Sequence, residues 1–262
     1  MKRIFFLTGM LLLGLQLSAQ LLLPPYSLAD QKINGPVKTV TTFYEDHENG
    51  MHYVTIEHYN RKGVLESRTV NGEMRGGTTN YIFDKKGRLV GEEFSYFYSY
   101  KSTYTYDKKG CIVRKTTVTH EEEGDVTYDT MEYVNNKDCK PLFIKYGSAS
   151  TDTLRYDNDG RLVYYYDGYT RHEYTYDADG NLMQQQGENE SEKFIQHFTY
   201  DEMGWLSEFW LIEDGVETEH IQYTYSGQQD AYGNWFYCML NYPNNKEAQE
   251  DLIIRAMEYY TK

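Results

Sequence analysis

Acidic side chains are the most numerous groups in this chain that could do chemistry. The chain has 262 residues, of which 40 are Asp or Glu. Two carboxyl groups about 5 to 9 Å apart form the catalytic pair of most glycoside hydrolases. With so many acids, some pair at this separation is expected in any fold. The number of acids alone therefore does not predict a catalytic site.

Two segments with paired Asp residues resemble the start of a calcium-binding loop. They read YDNDG at 156–160 and YDADG at 176–180. An EF-hand loop needs a third acid at a fixed spacing, then Gly, and a more distant Glu, and neither segment has that spacing. Equivalent segments elsewhere read DKKG and DEMG, in which Lys or Met replaces the second acid. We therefore predict no metal site here.

Other patterns of catalysis and cofactor binding are absent from the sequence. The seven His residues form no HExxH pattern, no Ser lies in a GxSxG pattern, and no glycine-rich loop is suited to hold a phosphate. The sequence thus predicts no catalytic residue and no cofactor.

Aromatic residues are better candidates for a functional surface. The chain has 28 Tyr, 11 Phe and 3 Trp, and dense runs read FSYFYSY at 94–100 and YYYDGY at 164–169. Consecutive aromatic residues on a strand point to both faces, so some should meet solvent, and exposed aromatic patches often mark contact sites. The candidate binding residues are Trp205, Tyr164, Tyr165, Tyr166, Tyr169, Tyr96 and Tyr98.

These residues lie within a unit that repeats along the chain. Self-similarity at a period of about 20 to 24 residues indicates a repeat protein. A degenerate copy lies at 133–143, and a last one reads DAYGNW at 230–235. The clearest copies are HYNRKGVL (58–65), IFDKKGRL (82–89), TYDKKGCI (105–112), RYDNDGRL (155–162), TYDADGNL (175–182) and TYDEMGWL (199–206).

Each copy contains the residues of a tight turn between two strands. Asp at the first turn position accepts hydrogen bonds from the following backbone N–H groups, and Gly three positions later adopts positive φ without a steric penalty. Tyr-x-Tyr before the turn and Gly-x-Leu after it have the period of two that indicates paired antiparallel strands. The predicted turn residues are Asp84, Gly87, Asp107, Gly110, Asp157, Gly160, Asp177, Gly180, Asp201, Gly204, Asp230 and Gly233.

Trp205 departs from this repeat. It follows the turn glycine, at a position where most copies hold polar residues, so we predict that it faces the wetter side of the sheet and stacks on a sugar ring or a partner side chain. Trp210 lies five residues later and is predicted to lie in the core, on the opposite face. The other copies hold Val64, Arg88, Cys111, Arg161, Asn181 and Asn234 at the position of Trp205.

The repeat resembles the YD repeat of the rearrangement-hotspot (Rhs) and teneurin families. The resemblance covers about residues 34–260, and it includes NGPVKTVTTFYE (34–45) as an opening strand and AYGNWFYCML (231–240) with LIIRAMEYY (252–260) as closing strands. It implies hairpins that succeed one another in a long antiparallel sheet, and a loose association with carbohydrate and cell-surface contact. Because the chain ends soon after its last repeat, we expect no toxin domain.

We therefore expect an all-β fold: a long antiparallel meander of about eight YD-repeat hairpins, with about 14 to 18 strands, forming a twisted or curled open sheet. No linker interrupts the repeat, so residues 20–262 are predicted to form a single domain. The apolar residues of the segment 252–260 have helical spacing, but the repeat context favours a strand.

The N-terminus has the features of a secretory signal peptide. Lys2 and Arg3 precede an apolar run at 4–17 that ends at Ser18 and Ala19. We predict that residues 1–19 are a signal peptide, and that the mature chain is exported to the periplasm or cell surface with no membrane span after cleavage.

Charge and cysteine content restrict the partners and crosslinks. The formal net charge of −14 argues against nucleic acid, because phosphates are bound mainly by Lys and Arg. Three cysteines allow at most one disulfide within the chain. Cys111 and Cys139 follow neighbouring turns and are the better pair, but free buried thiols are the expectation.

These observations favour a non-catalytic exported binding or scaffold protein of a bacterial envelope, in contact with a glycan or another envelope protein. The alternative is an envelope hydrolase that acts on carbohydrate. Product formation over time would distinguish the hydrolase from the binding protein. The sequence leaves the ligand and the oligomeric state open.

Overall fold

The computed structural model describes Ser27 and residues 31–46, 51–72, 76–120, 125–147, 150–226, 229–245 and 250–261. The predicted signal peptide lies outside the described residues. Within them, no helix has the length and apolar character needed to span a membrane.

The described residues form eighteen β-strands, and their order along the chain is the order in which they pair. The strands are β1 Val37–Asp46, β2 Met51–Tyr59, β3 Leu65–Gly72, β4 Gly76–Phe83, β5 Leu89–Ser95, β6 Ser99–Tyr106, β7 Ile112–His120, β8 Val126–Asn135, β9 Pro141–Tyr146, β10 Ser150–Tyr156, β11 Leu162–Tyr166, β12 Arg171–Tyr176, β13 Leu182–Glu188, β14 Lys193–Tyr200, β15 Leu206–Glu213, β16 Val216–Tyr225, β17 Tyr237–Asn241 and β18 Asp251–Tyr259.

The strands form one antiparallel meander that closes on itself. Each strand pairs with the next along the chain, and β1 also pairs with β18, from Val37 opposite Tyr259 to Glu45 opposite Leu252. Closure removes the two open edges, whose unpaired backbone groups would otherwise be exposed.

The predicted open sheet is therefore wrong, and the structure is a closed barrel. The all-β class and the antiparallel meander are confirmed. The repeat fixes only the pairing of neighbours along the chain, whereas closure depends on a ladder between the first and last strands.

The C-terminal segment with helical spacing is a strand, as predicted. In β18, the buried residues Asp251, Ile253 and Arg255 alternate with more exposed ones. Pairing with β1 on one side and β17 on the other holds the segment extended.

Burial alternates along the strands and distinguishes an inner from an outer wall. In β6, Ser102 and Tyr104 are buried, while Lys101, Thr103 and Thr105 are exposed. No second layer of described residues covers the sheet, so the buried face is the inside of the barrel. The inner wall carries the main hydrophobic core, which includes Leu89, Leu154, Leu162, Phe209 and Ile221.

Eight turns of one geometry lie at the same end of the barrel, called here the turn end. In one of them, Asp177 Oδ1 accepts hydrogen bonds from the N–H groups of Asp179 (2.9 Å) and Asn181 (2.8 Å), and Gly180 has a φ of 87°. The degenerate copy keeps this geometry with Asn136 in the Asp position and Cys139, at a φ of 62°, in the Gly position. The turn thus requires an Asx acceptor and a residue with positive φ.

The second Tyr of the Tyr-x-Tyr pair links its repeat to the preceding one. Tyr176 donates a hydrogen bond from its hydroxyl to the carbonyl oxygen of Leu162, at 2.7 Å. Each such bond satisfies a backbone carbonyl just after the turn bulge, where the ladder is interrupted. The same bond joins Tyr106 to Leu89, Tyr200 to Leu182 and Tyr225 to Leu206.

The residue after the turn glycine, in what we call the post-glycine position, packs on the linking Tyr of the next repeat. The guanidinium of Arg161 lies 5.0 Å from the ring centroid of Tyr176. Cation–π contacts of this kind contribute about 0.5 to 1 kcal/mol each at exposed sites. Equivalent contacts place Arg88 over Tyr106 and Lys140 over Tyr156.

A disulfide joins two neighbouring turns. Cys111, in a post-glycine position, is bonded to Cys139, in the glycine position of the next repeat, with a Cα–Cα distance of 4.9 Å. The expectation of free thiols is therefore wrong for this pair, because the fold brings these two turn positions side by side. Cys238 is free and buried.

Residues 31–34 lie across the turn end and contact distant parts of the wall. Gln31 donates a hydrogen bond to Glu57 on β2 (3.1 Å). The next residue, Lys32, donates to Asn181 Oδ1 (2.7 Å) beside β13. The strands β2 and β13 are seven positions apart around the barrel. Burial lowers the pKa of Lys32, and the carboxylates of nearby turns, including Asp177, oppose that shift.

Replacing Gly180 tests the turn geometry. A Cβ at this position would meet only Arg161 Nη1, at 4.0 Å, so a substitution reports backbone strain and not steric overlap. We expect Gly180→Val to lower the free energy of unfolding by more than about 1 kcal/mol in urea denaturation, because a β-branched residue disfavours positive φ. Gly180→Asn is the matched control, since Asn tolerates this conformation, and should lose much less. Equal losses from Val and Asn would contradict the turn assignment.

Candidate binding site at the end opposite the turns

Exposed aromatic side chains cluster at the end of the barrel opposite the turns. We call this set the aromatic rim. It is carried by the β5–β6 loop, the β11–β12 loop and the start of β8. Phe97 is 66% exposed and Tyr169 is 63% exposed, which is unusual for aromatic residues in a structure with a well-packed core. The rim comprises Tyr96, Phe97, Tyr98, Tyr128, Tyr166 and Tyr169.

The β5–β6 loop packs its rings against one another. The rings of Tyr96 and Phe97 are 4.0 Å apart between centroids, and Phe94 lies 5.1 Å from Tyr98. These rings lie over β4 because Gly76 has no side chain there: a Cβ would come within 2.7 Å of the Tyr96 ring. The sequence analysis did not use the glycine pair at 76–77, which is the signal that could have indicated a surface approached closely by rings.

The β11–β12 loop holds its aromatic residues through a turn. Asp167 Oδ1 accepts hydrogen bonds from the N–H groups of Tyr169 (2.8 Å) and Thr170 (2.6 Å). Tyr166 donates from its hydroxyl to the carbonyl oxygen of Gly168 (2.9 Å). The loop therefore presents the Tyr169 ring from a fixed backbone.

The barrel does not bring these two loops together. They are six strand positions apart, which corresponds to about 29 Å along the wall at about 4.8 Å per strand. A ligand that contacted both would have to extend across the end of the barrel.

The run at 164–166 is divided between the two walls. Tyr165 points inward, where its hydroxyl donates to Asp152 (3.0 Å) and its ring stacks on His172. Burial and the hydrogen bond to the Asp152 carboxylate raise the pKa of Tyr165. Tyr164 lies on the outer wall with Arg155 over its ring (4.7 Å). Only Tyr166 of the three belongs to the rim.

Trp205 and Trp210 do not lie on the predicted sides of the sheet. Trp205 is half-buried at the turn end, with its ring centroid 5.1 Å from that of Tyr225. Trp210 lies on the outer wall and stacks on His220 at 4.9 Å, while Phe209 beside it is fully buried. The bulge after the turn puts both Leu206 and Phe209 inside and so shifts the alternation on which the prediction relied.

A second group of polar side chains lies on the inner wall near the rim; we call it the inner recess. Asp251 accepts hydrogen bonds from the hydroxyls of Tyr44 (3.1 Å) and Tyr242 (2.5 Å). Burial and the neighbouring carboxylate of Glu213 raise the pKa of Glu219 to about 7. The recess comprises Tyr44, Glu213, Glu219, Tyr223, Tyr242 and Asp251.

Sequence reasoning missed this recess. Its three acids, Glu213, Glu219 and Asp251, lie in no motif that sets them apart from the other acids, and they come from three different strands. Within the part of the chain that the structure describes, no group of three or more His, Cys, Asp or Glu side chains is placed to hold a metal ion.

Comparisons with known proteins identify no family for the chain. No family model matches it, and no curated protein matches it. Among solved structures, it is similar to a porin-like protein from Bacteroides uniformis, at 15% identity over 86% of this chain and 98% of that one, with a TM-score of 0.47.

The chain is also similar to part of larger proteins. It matches a chain of TcdB2-TccC3-TEV at 13% identity, over 79% of this chain and 15% of that one, with a TM-score of 0.31. It matches the Photorhabdus luminescens Tc holotoxin pore at 14% identity, over 79% and 16%, with a TM-score of 0.27. The chain thus spans about a sixth of the length of these two chains. The resemblance to YD-repeat proteins stays a prediction.

The role of Trp205 can be tested by exchange within the repeat. If it is a packing residue of the post-glycine position, Trp205→Arg should restore the contact that Arg88 and Arg161 make, and should cost little stability. Trp205→Ala should lower the free energy of unfolding by about 1 to 3 kcal/mol, because it uncovers Tyr225 and removes a half-buried ring. Chemical denaturation of both variants gives the comparison. A Trp205→Ala variant as stable as the wild type would contradict the packing role and favour the contact role.

Proposed function

We propose that the protein is an exported, non-catalytic binding protein of a bacterial envelope that contacts a glycan through the aromatic rim. The observation that carries the proposal is the group of six exposed aromatic side chains at one end of the barrel. The face of a sugar ring presents C–H groups that pack on an aromatic ring, while its hydroxyls bond to polar neighbours. Tyr provides both a flat apolar ring and a hydroxyl.

Export is supported by two features. Residues 1–19 have the sequence of a signal peptide, and the Cys111–Cys139 disulfide fits an oxidising compartment. The proposal therefore places residues 20–262 in the periplasm or at the cell surface, as one domain.

The outer wall supports an aqueous surrounding. It carries ion pairs between neighbouring strands, such as Arg114 with Glu132 (2.8 Å) and Lys101 with Glu93 (2.6 Å). The four side chains are about half exposed, and water stabilises charged groups that are exposed in this way. These ion pairs on the outer wall favour a barrel that contacts its partners through its two ends.

Ligand screening of the mature chain tests the proposal. We expect a glycan array to give saturable binding without turnover, and Phe97→Ala or Tyr169→Ala to weaken the glycan identified there about tenfold in calorimetry, since each removes an exposed ring. Neither change should alter the melting temperature. Met203→Ala, which removes an exposed apolar side chain at the turn end, is the control and should leave binding unchanged. Binding that is indifferent to the rim variants, or capture of an envelope protein with no glycan bound, would contradict the proposal.

A carbohydrate hydrolase is the second candidate, and Glu219 is the observation that favours it. A carboxyl group with a pKa near 7 beside a second carboxylate is suited to act as a general acid. This candidate predicts products that accumulate with time from a glycan panel and disappear with Glu219→Gln. The binding protein predicts no product from either form.

A further inference from the structure

An apolar patch lies on the outer wall where the barrel closes; we call it the seam patch. In the closing ladder, Phe43 of β1 is opposite Ile254 of β18, and these side chains are 44% and 39% exposed. Val54 of β2 continues this row on one side, and Tyr237 of β17 continues it on the other. The next row toward the turn end contains Ile56, Thr41 and Ala256. The seam patch comprises Phe43, Val54, Ile56, Tyr237, Ile254 and Ala256.

Charged side chains border the seam patch but do not interrupt it. Neither of the two rows contains a charged residue. Toward the rim, His52 lies 3.8 Å from Glu45, and toward the turn end, Lys38 is paired with Glu258 at 2.8 Å. Residues directly opposite on neighbouring strands have Cβ atoms about 5 Å apart, so the two rows form one continuous surface. An exposed apolar surface bounded by charges commonly marks a contact site.

The chain itself contains an apolar segment that matches this surface. Residues 21–26 read LLLPPY, and they lie outside the described residues. The segment has no charged side chain, and its two prolines have no backbone N–H to donate and favour the extended polyproline II conformation. Segments of this kind dock on surfaces with aromatic side chains, and the seam patch contains Phe43 and Tyr237.

The chain after this segment is attached close to the seam patch. Ser27 forms an antiparallel bridge with Val64, in the turn between β2 and β3 at the turn end. Antiparallel pairing directs the residues before Ser27 alongside the residues after Val64, toward the rim. From Ser67 onward, β3 is paired with β2 on one edge and with β4 on the other. The segment therefore has no strand edge to join there and has to lie on a face of the wall.

The outer face is the one that is open to it. On the inner face beside this turn, Ile33 packs with Tyr59 and Leu65, and all three are buried. Six extended residues span about 20 Å. At about 3.3 Å per residue and about 4.8 Å per strand, Ala256 and Phe43 lie about 17 to 19 Å from the start of β3. Residues 21–26 are thus long enough to reach both rows.

We propose that residues 21–26 dock on the seam patch of their own barrel and fasten the closing ladder from outside. The segment crosses from β3 over β2 to β1 and β18, so it covers the strands whose pairing closes the barrel. Contact with the segment removes the exposed parts of Phe43 and Ile254 from water, which stabilises the closed form. The proposal does not depend on glycan binding at the rim.

NMR of the mature chain tests the proposal. We expect backbone order parameters of about 0.85 for the amides of Leu22 and Leu23, as in the strands, because a docked segment moves with the wall. We also expect nuclear Overhauser effects between the methyl groups of these leucines and those of Ile56 or Ile254. A segment that does not dock would have order parameters below about 0.6.

Variants on the two sides of the contact locate the docking site. Ile254→Asp should lower the order parameters of Leu22 and Leu23 below about 0.6 and remove the Overhauser effects, because it places a charge under an apolar segment. Val134→Asp is the matched control, since Val134 is 41% exposed on β8, six strand positions from β2, and should change neither. Leu22→Ser/Leu23→Ser leaves the barrel itself unaltered, and should shift the methyl signals of Ile254 but not those of Val134.

Four outcomes would overturn the proposal. The first three are order parameters below about 0.6 in the wild type, Overhauser effects from the leucines to residues outside the seam patch, and order unchanged by Ile254→Asp in a variant that melts like the wild type. The fourth is an Ile254 methyl signal that shifts with protein concentration, together with a dimer in ultracentrifugation, which would show that a second copy covers the patch. Rim variants that lose glycan binding while the segment stays ordered would leave this proposal intact, so the two proposals can fail separately.

Discussion

The pairing of β1 with β18 turns the meander into a closed barrel. A meander of short strands with two free edges would expose a row of unpaired N–H and C=O groups at each edge. The ladder between residues 37–45 and 252–259 removes both edges at once. Contacts at the turn end support it: Tyr260 donates a hydrogen bond to the carbonyl of Tyr59 (2.6 Å), and Asn34 donates one from its N–H to Asn234 (2.7 Å).

The repeat gives the wall its regularity. Each unit combines a turn, a linking Tyr hydroxyl and a post-glycine contact. The turn acts within the unit, and the other two contacts join it to an adjacent unit. The post-glycine position is where the units differ: it holds Arg161 over Tyr176, Trp205 beside Tyr225, and Cys111 in the disulfide. The loops at the opposite end of the barrel do not contain the repeated turn, and they carry the aromatic rim.

The turns and the strands beside them could be predicted from the sequence, but the pairing of strands distant in the sequence could not. The turns follow from Asp and Gly at fixed spacing, and the strand at 251–259 followed from the repeat context. Closure could not be predicted, because no local pattern specifies which distant strands pair. Trp205 was assigned to the wetter side because most copies hold polar residues at its position, and its packing partner, Tyr225, belongs to the next unit and could not be identified from the repeat alone. The inner recess was not predicted because its residues are distant in the sequence. Glu219 and Asp251 are 32 positions apart, and only the register of β16, β17 and β18 brings their strands together on one inner wall.

Crosslinking between β1 and β18 tests whether the barrel is closed. Thr41 and Ala256 are partners in that ladder, so a Thr41→Cys/Ala256→Cys variant should form a disulfide on oxidation, detected by mass spectrometry of a non-reduced digest. A Thr41→Cys/Glu258→Cys variant places the second cysteine two residues out of register, too far for a strain-free bond. We expect a crosslink in the first variant and little in the second. No crosslink in the first, or equal yields in both, would contradict a closed barrel with this register.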